Sequence, residues 1–549
     1  MKRNLFWILS LFLIVGCLDD KSNYDYKDIN DFEGWSKDGV KNIEDDYTLY
    51  PEEVLKLEPK VRFSIDTINL DASYAWYADL GKSMELLSND INYEFKADKI
   101  GDFKLVFSAT DNKTGVTFSK DVTITVVTPY RNGWIVLSKG SSGDSQISMI
   151  LSRLRKKKVI DTGGQEKYVD TVIYTGEAMN IVPNLGIGPK KLVENFIYPE
   201  NTSDKELQSE MMVLQKNRCV ELDGNHLTTI SHAEDEFSSD LPLHFEPQAA
   251  VLSWTAKYLL DYDNRMYIST MSVGVDLHSG RYLSDPAFNG KKVKQLLPLF
   301  KRVGNFLVVG IGEDNTFFGI MDQATVVDIH NDDFTIDIRN YVGSYMELGH
   351  NGNVDMSLFK NIDGEYVFHA WESCPYNIYS KGPTWVSILK KGGAYYWHHF
   401  RLGAQYPRYK IGDKMVIEES KSGELDPSMV SNYKCAALLP FKQLLMIASG
   451  NTLHAFDYVD SKMKVEGVLP TFSSEIVDMA VKDYNSNKNN AHLAVALKSG
   501  EIYVYEVKYD KKGATVELLE IYHKEGFGEI VDLEYKFGSG AKPDTGSLY

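Results

Sequence analysis

The residues best suited to bind a small ligand form two groups in the second half of the chain. His369 and Trp371 lie together, and Tyr396, Trp397 and His398 follow in one aromatic run. Tryptophan and tyrosine combine a large apolar area with a polar group, and imidazole supplies a hydrogen-bond donor and acceptor. These five residues therefore predict a site for a peptide or a glycan. The alternative is that they fill the interior, because successive residues of a strand face opposite sides.

No motif of a known enzyme class accompanies these residues. The sequence has no HExxH, no GxSxG, no phosphate-binding P-loop and no GxGxxG. Two stretches are weak candidates for a cation site: His226 and His232 beside Glu234–Glu236, and Asp261-x-Asp263-Asn264, which lacks the distal glutamate of a calcium loop. We therefore expect a non-catalytic protein without a metal or another cofactor.

One cysteine near the start of the chain has a predicted chemical role. Lys2 and Arg3 precede an apolar stretch, Leu5–Val15, and the small residues before Cys17 complete a lipobox. The stretch is shorter than the roughly 20 residues that span a bilayer as a helix, so residues 1–16 are predicted to be a signal peptide. The Cys17 thiol would then carry the fatty acyl chains that anchor the mature protein to a membrane, its only predicted membrane attachment.

The composition limits the possible partners. The formal net charge is −18, which argues against nucleic acid because phosphates require clustered cations. The densest basic run, Arg153 to Lys158, is expected to cap a strand end or to lie on a loop. Besides Cys17 the chain has Cys219, Cys374 and Cys435, an odd number without a CxxC, and we expect buried, unpaired thiols.

The elements that position these residues are predicted to be strands throughout. Residues 17–42 are a polar tether behind the lipid. Residues 43–128 alternate apolar and polar positions in short strands, around Trp76 and Phe103-x-Leu105-x-Phe107 for example, which predicts an immunoglobulin-like β-sandwich.

A longer repeat follows from residue 129, where Pro129 and Tyr130 mark the boundary. Apolar hairpins recur, as at Leu444–Tyr458 and Leu493–Val507, and the tripeptide Ile476-Val477-Asp478 returns as Ile530-Val531-Asp532. Repeats of about 50 residues predict a β-propeller of about seven blades over residues 129–536, followed by a flexible tail at 537–549. The alternative is a large irregular sandwich or two smaller β domains.

Three features together resemble a known family. Asp19 and Asp20 follow the predicted lipidation site after one residue, Leu18, and resemble a surface-export signal of Bacteroidetes lipoproteins. With Tyr74-x-Trp76, the segment Gly101–Phe107 and Tyr130-x-Asn132-Gly133-Trp134, the layout resembles the PKD-like family lipoproteins of Bacteroidetes. The FGDG turn usual after the tryptophan of PKD domains is missing, so the resemblance implies a sandwich without an inherited site.

The resemblance implies a partner as well as a location. Such lipoproteins accompany SusC/SusD-type TonB-dependent uptake systems, so we expect a surface-exposed accessory subunit of a nutrient importer, with oligopeptides the favoured nutrient and the transporter and its other lipoproteins as partners. Two alternatives stay open, a surface glycan-binding lipoprotein and a β-propeller hydrolase or lyase. The ligand, the docking face and the stoichiometry do not follow from the sequence.

Overall fold

The chain forms an all-β protein made of two compact units. The computed structural model describes residues 43–61, 71–130, 132–160, 166–196, 209–253, 256–270, 280–298, 307–321, 326–330, 335–339, 343–349, 352–373, 382–403, 412–460, 463–465, 469–483 and 491–536. The first unit is Met1–Thr128 and the second is Pro129–Tyr549. Cys17, Asp19, Asp20 and Cys374, together with the predicted tether and tail, lie outside the described residues.

The first unit contains two sheets that share one core. A five-stranded sheet has the order β1-β7-β6-β3-β4, and β2 pairs with β5. Trp76 is fully buried between them and donates a hydrogen bond from its indole N–H to the carbonyl of Ile91 at 3.0 Å. The strands are β1 (Asp46–Leu49), β2 (Val54–Leu57), β3 (Ala72–Asp79), β4 (Met84–Ser88), β5 (Tyr93–Lys96), β6 (Gly101–Asp111) and β7 (Thr117–Val126).

The second unit is a β-propeller-like arrangement in which the described residues form seven sheets of three or four antiparallel strands. Sheet 1 contains β8 (Gly133–Lys139), β9 (Ser145–Ile160), β10 (Glu166–Ala178) and β36 (Glu529–Lys536). Sheet 2 contains β11 (Pro189–Phe196), β12 (Ser209–Gln215), β13 (Cys219–Asp223) and β14 (Thr229–His232). Sheet 3 contains β15 (Pro247–Leu252), β16 (Ala256–Asp261) and β17 (Met266–Thr270).

Sheet 4 contains β18 (Val293–Leu296), β19 (Leu307–Gly312), β20 (Phe317–Met321) and β23 (Ser344–Met346), with a separate hairpin of β21 (Val326–His330) and β22 (Thr335–Arg339). Sheet 5 contains β24 (Glu365–Ser373), β25 (Thr384–Lys391), β26 (Ala394–Leu402) and β27 (Ile417–Glu424). Sheet 6 contains β28 (Tyr433–Leu439), β29 (Leu444–Ser449), β30 (Thr452–Asp457) and β31 (Met463–Val465). Sheet 7 contains β32 (Ile476–Lys482), β33 (His492–Leu497), β34 (Ile502–Asp510) and β35 (Thr515–Lys524). The described helices are short: 3-10 turns at Ala233–Glu236, Phe288–Gly290 and Met356–Leu358, and an α-helical turn at Pro427–Val430.

The sheets close into a ring because each packs on both of its neighbours. A separate apolar cluster lies between every pair of successive sheets, including sheets 7 and 1. In β29, Leu445 and Ile447 face sheet 5, whereas Leu444 and Met446 face sheet 7. Strands buried on both faces have continuous apolar sequences, which explains why the predicted hairpins did not alternate.

The last strand joins the two ends of the unit. β36 pairs antiparallel with β8, from Glu529 opposite Lys139 to Lys536 opposite Gly133. This pairing ties the start of the unit to its end within one sheet.

Two local expectations have clear outcomes. The Gly450–Asn451 hairpin turn is confirmed, and Gly450 has a φ of 64°, which glycine adopts at little cost. The expectation that Arg153 to Lys158 would lie on a loop or cap a strand end is wrong, because these residues lie within β9 and pair with β10. The reason is the unusual length of β9, 16 residues, which the sequence pattern did not reveal.

Candidate functional site

The inner strands of the seven sheets surround a cavity at the centre of the second unit. Each sheet has one edge strand on the inside of the ring, and successive inner strands lie beside each other; they are β11, β15, β18, β24, β28, β32 and β36. The cavity, here called the central cavity, has a volume of about 480 Å³ and is lined from β11, β24, β28, β32 and β36. A central cavity between blades is a common place for ligands in such folds.

Every inner strand has a β-bulge against the second strand of its sheet. The register shifts fall at Pro189/Lys191, Pro247/Ala249, Val293/Gln295, Tyr366/Phe368, Tyr433/Ala436, Ile476/Asp478 and Ile530/Asp532. A bulge bends the strand and redirects the next side chain. The residue after the bulge is therefore placed to reach the neighbouring inner strand.

Asp478 and Asp532 show what this position does. The Asp478 carboxylate accepts a hydrogen bond from the Leu533 N–H of β36 at 2.8 Å, and the Asp532 carboxylate accepts one from the Leu192 N–H of β11 at 2.7 Å. Gln295 uses the same position to donate to the Tyr366 carbonyl of β24 at 2.9 Å. These side chains connect successive sheets around the ring.

Asp478 and Asp483 line the central cavity, and burial disfavours the charged form of both carboxyl groups. Burial, and then the charge of Asp532, raise the pKa of Asp478 well above its ordinary value. Lys191 lies 3.7 Å from Asp532 and opposes this effect. Burial also raises the pKa of Asp483 to about 6, although its carboxylate accepts hydrogen bonds from the N–H groups of Phe441 and Lys442.

His369 lies on the opposite side of the central cavity, on β24. One ring nitrogen, Nδ1, is 2.7 Å from the Ser387 hydroxyl, and burial lowers the pKa of His369 to about 3. The other, Nε2, is buried and has no hydrogen-bond partner among the described residues. The same residue borders a second cavity of about 360 Å³ beside β15 and β18. The ring is therefore neutral at physiological pH, and the residue borders both cavities while Nε2 stays buried.

His398 is an interior residue rather than a surface one. It is fully buried, with Nδ1 at 2.5 Å from the Tyr366 hydroxyl and Nε2 at 2.9 Å from the Ser420 hydroxyl. The Tyr366 hydroxyl donates to the Leu358 carbonyl at 3.0 Å, so it accepts from Nδ1–H and the Ser420 hydroxyl donates to Nε2. Burial lowers the pKa of His398 to about 3.

Alternation along β26 separates the other predicted ligand-binding residues. Trp397 is 4% exposed and packs between sheets 5 and 6, against Phe456. Tyr396 points to the other face and packs, half-buried, against the cluster between sheets 4 and 5, as does Trp371. The five residues therefore do not form one patch, and neither Trp397 nor His398 offers a surface to a ligand.

The two weak cation-site candidates are occupied by protein groups. The Asp261 carboxylate accepts hydrogen bonds from the Arg265 N–H and guanidinium at 2.8 and 2.7 Å, and Glu236 pairs with the buried ammonium of Lys257. Within the part of the chain that the structure describes, no group of three or more potential ligands could hold a metal ion. Cys219 is buried, Cys435 is half-buried, and both are free thiols.

The tripeptides that contain Asp478 and Asp532 are recognisable in the sequence, but their role in connecting sheets is not. The repeat at 54-residue spacing was the available signal, since a polar residue that recurs beside two apolar ones indicates a repeated contact. The buried charges of Lys257, Glu221 and Asp483 were not predicted, because single charged residues in strands or directly after them give no periodic signal.

Comparison with protein families gives one match. Residues 17–183 match the model of the PKD-like family, which covers the described strands of the first unit and β8 to β10 of the second. This is less than a third of the chain. A comparison with curated protein sequences found no match. Among the described residues, no helix is long and apolar enough to cross a membrane.

Several solved structures are distantly similar. A quinonprotein alcohol dehydrogenase-like protein from Bacteroides thetaiotaomicron is 9% identical, with a TM-score of 0.21 over 90% of this chain and 96% of its own. Hsv2 from Kluyvelomyces marxianus is 10% identical, with a TM-score of 0.34 over 69% of this chain and 95% of its own. The WD40 domain of SCAP from fission yeast is 10% identical, with a TM-score of 0.33 over 62% and 73%. At these scores the likeness carries no argument, and the propeller-like fold rests on the sheet topology. The findings are thus a PKD-like match over residues 17–183 and an all-β, propeller-like second unit.

Proposed function

We propose that this protein is a non-catalytic lipoprotein, anchored to the outer membrane through Cys17 and exposed at the cell surface, that serves as an accessory subunit of a SusC/SusD-type oligopeptide importer. The observation that carries the proposal is the lipobox that ends at Cys17, with Asp19–Asp20 one residue further on, in a segment that matches the PKD-like family. In this proposal the first unit is an immunoglobulin-like sandwich and the second is a seven-bladed propeller.

The chemistry of the central cavity supports a scaffold rather than a reaction centre. Asp478 and Asp532, which line this cavity, accept hydrogen bonds from neighbouring inner strands. Groups committed to connecting sheets are poorly placed to exchange protons with a substrate. A rigid propeller instead offers broad faces, and a stable complex requires on the order of 1,200–2,000 Å² of buried surface.

Affinity purification from solubilised outer membranes tests this proposal. We expect the tagged, lipidated chain to recover a TonB-dependent SusC-type transporter and its SusD-type lipoprotein. The matched control is Cys17→Ser, which should not reach the membrane and should recover neither. Recovery of the lipidated protein alone, together with turnover of a peptide or glycan, would refute the accessory role in favour of an enzyme.

A second candidate function, capture of a peptide or glycan in the central cavity, is favoured by His369. A buried nitrogen without a partner is costly, and a ligand amide or hydroxyl would satisfy Nε2. His369→Phe keeps the ring shape and removes this atom, so it should abolish binding of an oligopeptide or oligosaccharide measured by calorimetry. His398→Phe is a poor control because it disrupts the core. His523→Phe makes the same change at an exposed residue of β35 that lines neither cavity, and it should bind as the wild type does.

A further inference from the structure

The ionisable side chains that line the central cavity are mostly acidic. Among the described residues, five carboxyl groups border it, those of Glu372, Asp478, Asp483, Asp532 and Glu534. The lysines in the lining are Lys191 and Lys434, and His369 is neutral because burial lowers its pKa to about 3. The lining therefore has an excess of negative charge.

The two lysines do not cancel this excess. The Lys434 ammonium lies 2.9 Å from Glu475, a carboxylate that does not line the cavity. The Lys191 ammonium lies 3.7 Å from Asp532. Because one lysine is engaged by a carboxylate outside the cavity, the other is left to offset the acidic groups inside it.

Two of the aspartates also disfavour each other's ionisation. Burial raises the pKa of Asp478, and the charge of Asp532 raises it further. Burial raises the pKa of Asp483 as well. Like charges in a partly desolvated site oppose each other's charged form. A cation in the cavity would remove this penalty, since it supplies the counter-charge that the lining lacks.

The wall contributed by β24 has a different character. Val367, Phe368 and Ala370 line it, and all three pack against the apolar cluster between sheets 5 and 6. The cavity volume, about 480 Å³, lies within the range of roughly 300–1,000 Å³ that is usual for small-molecule sites. A ligand with an ammonium group at one end and an apolar body would therefore find a suitable partner on each side.

We propose that the central cavity binds a primary ammonium group, carried by the free amino terminus or a lysine side chain of an oligopeptide. This inference rests on the second candidate function, capture of a ligand in the central cavity, and names the chemical class of that ligand. The ammonium group lies on the side of Asp478 and Asp532, and the rest of the peptide lies along Val367 and Phe368. A neutral glycan would leave the excess charge without a counter-ion, so the cavity favours the peptide.

Calorimetric titration of the full mature chain, released from the membrane by Cys17→Ser, tests the proposal. The first probe is trialanine amide, which has one ammonium group and no carboxylate. The second is its N-acetylated form, which has no charge, and the third is spermidine. We expect trialanine amide to bind at least about tenfold more tightly than the acetylated peptide, because opposite charges attract strongly in a partly buried site.

Two variants on β36 separate the cavity from the net charge of the chain. Asp532→Asn keeps an oxygen that can accept from the Leu192 N–H, removes one charge from the cavity, and should weaken binding of trialanine amide about tenfold. Glu529→Gln removes the same charge from an exposed position on the same strand and should change the affinity less than about twofold. If Asp532→Asn melts early, Asp483→Asn provides the same test.

The outcomes distinguish the ligand class from ligand capture itself. Equal affinities for the free and the acetylated peptide would overturn the proposal and leave capture in the cavity intact, whereas binding of neither peptide nor spermidine would overturn both. Equal losses in Asp532→Asn and Glu529→Gln would mean that net charge alone acts, and they would also overturn it. Tighter binding of spermidine than of trialanine amide would support the ammonium site and overturn the peptide as its source. No transporter is present in these titrations, so a failed pull-down leaves their results unaffected.

Discussion

Lys257 provides a sharp test of how the second and third sheets are held together. Its ammonium is fully buried, 2.8 Å from Glu221 of β13, and it also binds Glu236. The Ser231 hydroxyl donates to Glu236 at 2.8 Å, and the ring of Tyr282 lies 5.1 Å from the ammonium. Burial alone would lower the pKa of Lys257, but the two carboxylates outweigh it and raise this pKa.

Replacing Lys257 with methionine should be strongly destabilising. Methionine has a similar shape but leaves two like charges buried without a counter-ion. Breaking a buried ion pair in this way costs about 3–5 kcal/mol, and the second carboxylate places this case at the upper end. For a unit of this size we expect the melting temperature to fall by at least about 5 °C.

The pH dependence has a definite sign. In the wild type the raised pKa of Lys257 gives stability that is fully present below the ordinary lysine pKa and is lost only as the pH rises through the folded value. In Lys257→Met the buried carboxylates favour their protonated forms, so the variant loses stability as the pH rises. The difference in melting temperature should therefore be smaller at about pH 5 than at about pH 8.

Two further variants test whether the loss of stability comes from the unpaired buried carboxylates or from the loss of a lysine as such. Lys257→Met combined with Glu221→Leu and Glu236→Leu removes every charge and should recover most of the loss, because apolar replacements of buried ion pairs are often neutral. Lys498→Met removes an exposed lysine, 3.9 Å from Glu475, and should barely change the melting temperature. A melting temperature of Lys257→Met within about a degree of the wild type would refute the reasoning.

The remaining predictions concern the core, the anchor and the boundary. Trp397→Ala should cost about 3–5 kcal/mol and lower the melting temperature, whereas a stable variant with weaker ligand binding would contradict its interior position. His398 has a pKa of about 3 when folded, so the wild type should lose up to about 1.4 kcal/mol of unfolding free energy per pH unit as the pH falls from about 6.5 to 4. His398→Asn should remove this contribution, as measured by denaturant titrations. Cys17→Ser should release the protein from membrane fractions, and alanine at both Asp19 and Asp20 should reduce labelling by extracellular protease while lipidation persists. Limited proteolysis should leave a large fragment that begins near Pro129, and early loss of the second unit would argue against this boundary.

Much of the local structure followed from sequence periodicity. The alternation at Phe103, Leu105 and Phe107 predicted β6, and the Gly450–Asn451 turn predicted the hairpin of β29 and β30, because side-chain alternation and turn geometry are local properties. The extension of β9 and β10 was not predicted, since the register of a long hairpin depends on pairing across the turn.

By itself the sequence determined the lipobox at Cys17, the all-β character and the approximate repeat, because each depends on residue type and short spacing. Only the tertiary structure decided which side chains face the central cavity. His369 borders it, whereas Trp397 and His398, from an equally aromatic stretch, are buried between sheets. Likewise, the aspartates of the Ile-Val-Asp tripeptides connect sheets only because the ring brings β32, β36 and β11 side by side. Contacts between residues so distant in sequence arise from closure of the ring, which no local pattern encodes.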